Sequence, residues 1–210
     1  MKKEFLNILT EGSHEIGFEE EVHSEKAGEA LQKLMHGDDE YVHSTSNHAE
    51  LTEEVRHETT VHGQHPYAVV VTCSDARVPP EHIFSAGIGE LFVIRNAGNL
   101  ISDIDLGSIE YAVEHLGATL VVIMGHTHCG AVAAALEGDG ESFIHRIIEE
   151  VKHGIGDAKD PRDAEIRNVK HSLARLHDSE ILAHLHHEGK LEFAGAIYDI
   201  EKGTVEFLTH

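Results

Sequence analysis

The sequence predicts an α/β fold: a mainly parallel central β-sheet flanked by helices, with an N-terminal helical arm and a C-terminal strand pair. Three observations carry this. Ala68–Thr72 and Thr119–Met124 are short uncharged runs, rich in β-branched residues and apolar on both faces, as strands buried in a parallel sheet are. Segments of helical periodicity alternate with such runs through the middle of the chain, which implies right-handed crossovers in one α/β layer. Each of the two runs stops at residues able to do chemistry, Cys73-Ser74-Asp75-Ala76-Arg77 and Gly125-His126-Thr127-His128-Cys129-Gly130. The carboxyl ends of strands are where open α/β sheets bind ligands.

Taken in order, residues 1–24 carry little pattern beyond glycine, serine, histidine and the Glu19-Glu20-Glu21 run, and read as an acidic arm before a domain over 25–210. Ala27, Ala30, Leu31 and Leu34 fall at helical spacing, and Gly37 is expected to stop that helix. Tyr41 to His48 reads as a loop, Thr52 to His62 as a helix ended by Gly63, and Gln64-His65-Pro66 as the lead into the first strand. Pro80 fits the first turn of a short helix reaching Ser85, since proline costs no hydrogen bond there. Leu91–Ile94 is the second strand, ending in Arg95-Asn96-Ala97-Gly98-Asn99.

Ser102 suits the cap of a helix buried through Ile109, Ala112, Val113 and Leu116 and closed by Gly117. After the third strand, Cys129–Leu136 reads as a helix and Gly138-Asp139-Gly140 as a turn. Ile144, Ile147, Ile148 and Val151 mark an amphipathic helix, and Gly154 to Pro161 a loop. Ile166, Val169, Leu173 and Leu176 predict one long helix reaching His187, with Gly189 after it. Leu191–Asp199 and Thr204–Leu208 read as two strands around the Glu201-Lys202-Gly203 turn.

The bulk composition narrows the function. A length of 210 residues suits one domain with an arm. The net charge of -22 argues against nucleic-acid partners and anionic membrane surfaces, and no apolar run approaches the length of a membrane span. The 38 acids against 16 lysines and arginines describe a strongly solvated acidic surface, or one adapted to high salt. The basic start, Met1-Lys2-Lys3, is followed by an apolar stretch that fails by Glu11, so no export signal is expected and the cytoplasm is favoured. The 20 histidines are mostly scattered singly and make the charge steeply pH-dependent between about 5 and 8.

Both cysteines of the chain sit at the two strand ends. Taken singly, each reads as an ordinary buried thiol. Together with His126 in one crevice they make a tetrahedral zinc set of two thiolates and an imidazole with one position open, the pattern of catalytic zinc. His128, next to Cys129, is expected to point elsewhere. Asp75 and Arg77 fit a surface pair, a fourth metal ligand, or a carboxylate that accepts from a water on the metal while the guanidinium fork holds it.

Cys73-Ser74-Asp75-Ala76-Arg77 with Gly125-His126-Thr127-His128-Cys129-Gly130 closely resembles the β-class carbonic anhydrases. Gln64-His65-Pro66, Phe92–Asn99, Ile109–Val113 and Gly195–Asp199 look like that family too, so that the resemblance runs from about Ala27 to Leu208. It implies one zinc ion per chain on Cys73, His126 and Cys129, and reversible hydration of carbon dioxide to bicarbonate and a proton by water activated on the metal. Asp75 and Arg77 resemble the catalytic dyad, with Asp75 as fourth ligand in a closed form. Gln64 resembles a substrate-orienting amide from the partner subunit. Phe92, Ala97, Tyr111 and Gly130 match positions that line the substrate pocket. A homodimer or dimer-based tetramer is implied, with residues 1–24 either packing on the partner or mobile. The chain departs from the family pattern at Ala131, Ala97 and Ala76, where glycine, valine and serine are commoner. It also lacks tryptophan and the allosteric bicarbonate set that uses it, so an open site with Asp75 paired to Arg77 is expected. Two other readings are a carbon disulfide or carbonyl sulfide hydrolase on the same scaffold and a non-enzymatic, histidine-rich metal-binding protein.

Overall fold

The computed structural model describes residues 24–44, 49–138 and 140–208. The N-terminal arm, apart from Ser24, lies outside the described residues, as do residues 45–48 of the expected loop and Asp139 of the expected turn.

Five strands form one sheet in the order β2-β1-β3-β4-β5. They are β1 (Ala68–Cys73), β2 (Leu91–Asn96), β3 (Leu120–His126), β4 (Glu192–Asp199) and β5 (Thr204–Leu208). The first four run parallel and β5 closes the far edge antiparallel to β4. Every residue of β1 and β3 is buried, as their unbroken apolar runs require. Successive side chains point to opposite faces. Val69, Val71, Val121 and Ile123 enter one core with α4 (Asp103–Leu116), α7 (Pro161–Arg175) and α8 (Glu180–His187). Val70, Val122 and Met124 enter the other with α1 (Glu25–His43) and α3 (Pro80–Ile83). The chain leaves β1 for β2 on one side, then crosses to place β3 on the other. The strand order therefore reverses between β1 and β3, and the crevice of the fold opens beyond their carboxyl ends.

Most helix boundaries follow from local chemistry. Ser24 and Thr52 cap α1 and α2 (Glu53–His62). Ser102 and Asp105 form a reciprocal capping box on α4, and Gly117 ends it in the left-handed region, at φ 78°. Cys129 is the N-cap residue of α5 (Gly130–Glu137), and α6 spans Ser142–Ile155.

Four expectations need correction. Gly37 does not stop α1, which runs on to His43 and takes up Tyr41–His43 from the expected loop. The glycine is there because the helix crosses α3: a Cβ at Gly37 would lie 1.9 Å from the Phe84 carbonyl oxygen. The long helix expected through His187 breaks into α7, a 3₁₀ turn at Leu176–Asp178 and α8. Ser179 restarts the chain, its hydroxyl accepting from the Leu182 amide and donating to Glu110 (2.6 Å). The expected loop from Gly154 begins two residues later, since α6 runs to Ile155, and Pro161 belongs to the first turn of α7. In α6, Ile148 and Val151 are buried, whereas Ile144 in the uncovered first turn is exposed.

Candidate metal centre

β1 delivers Cys73 and β3 delivers His126 to adjacent strand ends, and the turn after β3 brings Cys129 back over them. The Thr72 hydroxyl donates to the Met124 carbonyl (2.8 Å) and ties the two strands one residue short of the site. The Thr127 amide donates to Tyr198, and the Ile200 amide to the Thr127 hydroxyl (3.0 Å), which fixes β3 against β4. The two sulfurs and an imidazole nitrogen consequently lie within 4.8 Å of one another, all buried. His126 Nδ1 is paired with the Thr127 carbonyl oxygen (2.9 Å), whereas Nε2 is buried without a partner among the described residues.

That orphaned nitrogen and the two clustered sulfurs form a donor set for a soft, tetrahedral dication, so the residues fit zinc. The electrostatics agree. The hydrogen bond with Cys129, helped by the Gly98 amide, pulls the Cys73 thiol down. Cys129 is pushed up by the Cys73 sulfur and by burial, against the amides of Ala131 and Val132 at the start of α5. The first thiolate forms readily and holds back the second, and a bound cation removes that conflict.

Asp75 and Arg77 stand beside this group as a closed fork. The Arg77 Nε and Nη2 donate to the two oxygens of Asp75 (2.9 and 2.7 Å), and its backbone amide adds a third bond (2.9 Å). These bonds hold the carboxyl well below the usual carboxylate range. The same Nη2 reaches the His128 carbonyl oxygen (3.3 Å), so the residue set aside as a ligand serves through its main chain, in a left-handed conformation (φ 57°).

Three residues around this group were not singled out from sequence. Arg95 donates to the carbonyls of Cys73 (3.0 Å) and Asp75 (2.7 Å), and so braces the loop that carries them. Gly98 donates its amide to the Cys73 sulfur (3.4 Å). Glu165, buried in α7, accepts from the Cys129 amide (3.4 Å), and burial raises its carboxyl. The sequence marks the Arg95–Asn99 run as a polar strand end and as part of the family resemblance, with Ala97 alone given a role in the site. Glu165 gave no signal, because its partner lies 36 residues away.

The remaining expected site residues are more scattered within one chain. Gly130 starts α5 and is exposed, and a Cβ there would meet nothing within 4 Å. Ala97 is half-buried in the turn that holds Gly98. The ring of Phe92, on β2 opposite Val69, meets Tyr111 of α4 at 6.4 Å between centroids. Tyr111 is about half exposed and Gln64 is exposed.

Comparison with known proteins agrees with this geometry. The family model described as carbonic anhydrase matches residues 68–205. The carbonic anhydrase of Mycolicibacterium smegmatis is 36% identical over 166 residues, covering 74% of this chain and 81% of that protein. The structure of the β-carbonic anhydrase CcaA aligns with a TM-score of 0.66 at 27% identity, over 85% of this chain and 95% of that one. One of the two tetrameric β-carbonic anhydrases from the ascomycete Sordaria macrospora aligns with a TM-score of 0.66 at 27% identity, over 75% and 88%. The match spans the sheet and both strand ends that form the cysteine–histidine–cysteine group, and the chain belongs to the β-class carbonic anhydrases.

Proposed function

We propose that this chain catalyses the reversible hydration of carbon dioxide to bicarbonate and a proton, with one zinc ion per chain on Cys73, His126 and Cys129. The observation that carries the reading is the convergence of those three ligand atoms beside an Asp75 already engaged by Arg77. When bound, zinc supplies the Lewis acidity that makes water nucleophilic near neutral pH. The protein does the rest. Arg77 occupies both oxygens of Asp75 and would keep the carboxylate from serving as a fourth ligand to a bound metal, which supports the open arrangement. Asp75 remains an acceptor with a fixed direction, able to orient the O–H of a water entering the site. Two thiolates neutralise a dication, so the site acidifies water less than three imidazoles would, and activity is expected to rise with pH.

A second copy of the chain completes the reading. β2 is an edge strand of half-buried residues, α2 buries none of its side chains, and Ile104 and Tyr111 stand exposed on α4. These surfaces border Phe92 and Gln64, and they support a homodimer in which pocket residues come from both subunits. Phe143 and Ile144, exposed at the start of α6, supply a second apolar patch for a dimer-based tetramer. Among the described residues no helix is long and apolar enough to cross a membrane. Two free, buried thiols suit the reducing cytoplasm we assign to the protein.

Stopped-flow carbon dioxide hydration as a function of pH, with zinc content and sedimentation on the same sample and Cys73→Ala as control, tests the proposal. Hydration that rises with pH, with one zinc per chain, and is lost in the control supports it. Full zinc occupancy without hydration would redirect the assignment to carbon disulfide or carbonyl sulfide. Many loosely held ions would indicate metal storage.

A further inference from the structure

α7 buries a polar stripe where a core helix normally carries apolar residues. Glu165, Asn168 and Ser172 follow one another at i, i+3 and i+7, and all three are almost fully buried. Asn168 Nδ2 donates to the Gly98 carbonyl oxygen (2.8 Å), and the Ser172 hydroxyl to the Asn99 carbonyl oxygen (2.9 Å). The turn they hold has an unusual backbone. Gly98 and Asn99 both have positive φ, 85° and 48°, a conformation few residue types other than glycine and asparagine adopt. The turn is further pinned by Asn96, whose side chain exchanges hydrogen bonds with Leu100 in both directions (2.8 Å each). A turn so over-determined presents one amide to the site, the Gly98 N–H that points at the Cys73 sulfur (3.4 Å).

Fold stability alone does not explain the stripe. Asn168 Oδ1 and Asn99 Nδ2 are buried without a partner among the described residues, so both amides are held in place with part of their hydrogen-bonding capacity unmet. An N–H donated to a thiolate withdraws electron density from it, and partners at this distance from a metal commonly set ligand orientation and affinity.

We propose that Asn168 and Ser172 are positioning residues of the metal centre: through the Gly98–Asn99 turn they aim an amide at the Cys73 sulfur and so set how strongly that thiolate binds and donates to the metal. The proposal rests on the zinc reading of Cys73, His126 and Cys129, and it concerns a helix that supplies none of those ligands.

The test compares wild type with Asn168→Leu, Ser172→Ala and Leu173→Ala. Asn168→Leu keeps the branched shape and deletes the donor, Ser172→Ala removes one hydroxyl with little volume, and Leu173→Ala perturbs the apolar face of the same helix. Zinc affinity is measured by competition with a chromophoric chelator. The sulfur-to-metal charge-transfer band of the cobalt(II)-substituted proteins reports donation by the thiolates. Asn168→Leu and Ser172→Ala should weaken zinc binding by about 10-fold or more and shift the band. Leu173→Ala should lower the melting temperature and do neither. Unchanged affinity and band in Ser172→Ala and in folded Asn168→Leu, or equal changes in Leu173→Ala at matched loss of stability, would overturn the proposal. A wild type that takes up no stoichiometric zinc removes the reading beneath it, and so fails in a different arm.

Discussion

Substituting Gly37 by alanine should destabilise the protein, although alanine is the better helix former. In an unobstructed helix interior the change gains up to about 1 kcal/mol. Here the new Cβ would lie 1.9 Å from the Phe84 carbonyl oxygen, 2.5 Å from its carbon and 3.1 Å from its Cα. An ordinary contact is about 3.4 Å, so α1 and the end of α3 must part by about 1.5 Å. The obstructing atoms are main chain, and no rotamer change or second-site truncation can relieve them. Separation would open the core around the fully buried Leu34, Ile83 and Phe84. Overpacking of this kind costs about 3 kcal/mol. Set against the propensity gain, the net loss is about 2 kcal/mol, or about 4–8 °C in melting temperature for a chain of this length. Thermal unfolding followed by far-ultraviolet circular dichroism reads this directly, with zinc stoichiometry unchanged, because the crossing lies away from the strand ends. A melting temperature equal to or above that of wild type would refute the reasoning.

Arg77→Leu should lower kcat/KM by about 10²-fold at neutral pH with zinc content retained, since Asp75 loses both side-chain donors that fix its direction; stopped-flow hydration with metal analysis checks it. Asp38 at the seam of α1 and β5 accepts from the Val205 amide with one oxygen (3.0 Å), while the other is buried without a partner among the described residues, and burial raises its carboxyl to about 6. A raised acid pKa means that the ionised form is penalised in the folded state, fully above pH 6 and not at all below the unfolded value of about 4. Asp38→Asn should therefore raise the melting temperature relative to wild type at pH 8, and the difference should vanish by pH 4. Ser179→Ala removes both the α8 cap and the bond to Glu110, and should cost about 1–2 kcal/mol in a urea titration without altering zinc affinity.

The strands and the cysteine–histidine–cysteine group were legible because their signals are local or repeated. β1 and β3 are unbroken apolar runs, and each ligand sits within three residues of a strand end. The Asp75–Arg77 fork spans two residues, so the spacing alone brings it into reach. Gly37 misled because glycine after a periodic stretch is a stop signal, and only the approach of α3 shows why it sits inside a helix. The break at Ser179 was hidden by an apolar spacing that continues through Leu176 into α8, although the serine is a good cap residue. The buried polar residues of α7 were beyond reach. Asn168 meets Gly98 across 70 residues and Ser172 meets Asn99 across 73, so nothing near them in sequence separates them from a solvated face.

That contrast bears on how the site works. The cysteine–histidine–cysteine group comes from two strand ends, but its geometry is set by groups from elsewhere. Arg95 fixes the loop after Cys73, Glu165 the Cys129 amide, and Asn168 the turn facing the Cys73 sulfur. Each acts on main chain rather than on a ligand side chain. The ligand side chains are therefore free of competing hydrogen bonds from these braces, and His126 Nε2 is left bare. A site built this way holds its geometry before the metal arrives, because the cost of converging two sulfurs and a nitrogen is met by backbone hydrogen bonds already present in the fold. Loss of one brace should then weaken metal binding with only a modest loss of fold stability, whereas loss of a ligand removes the donor itself.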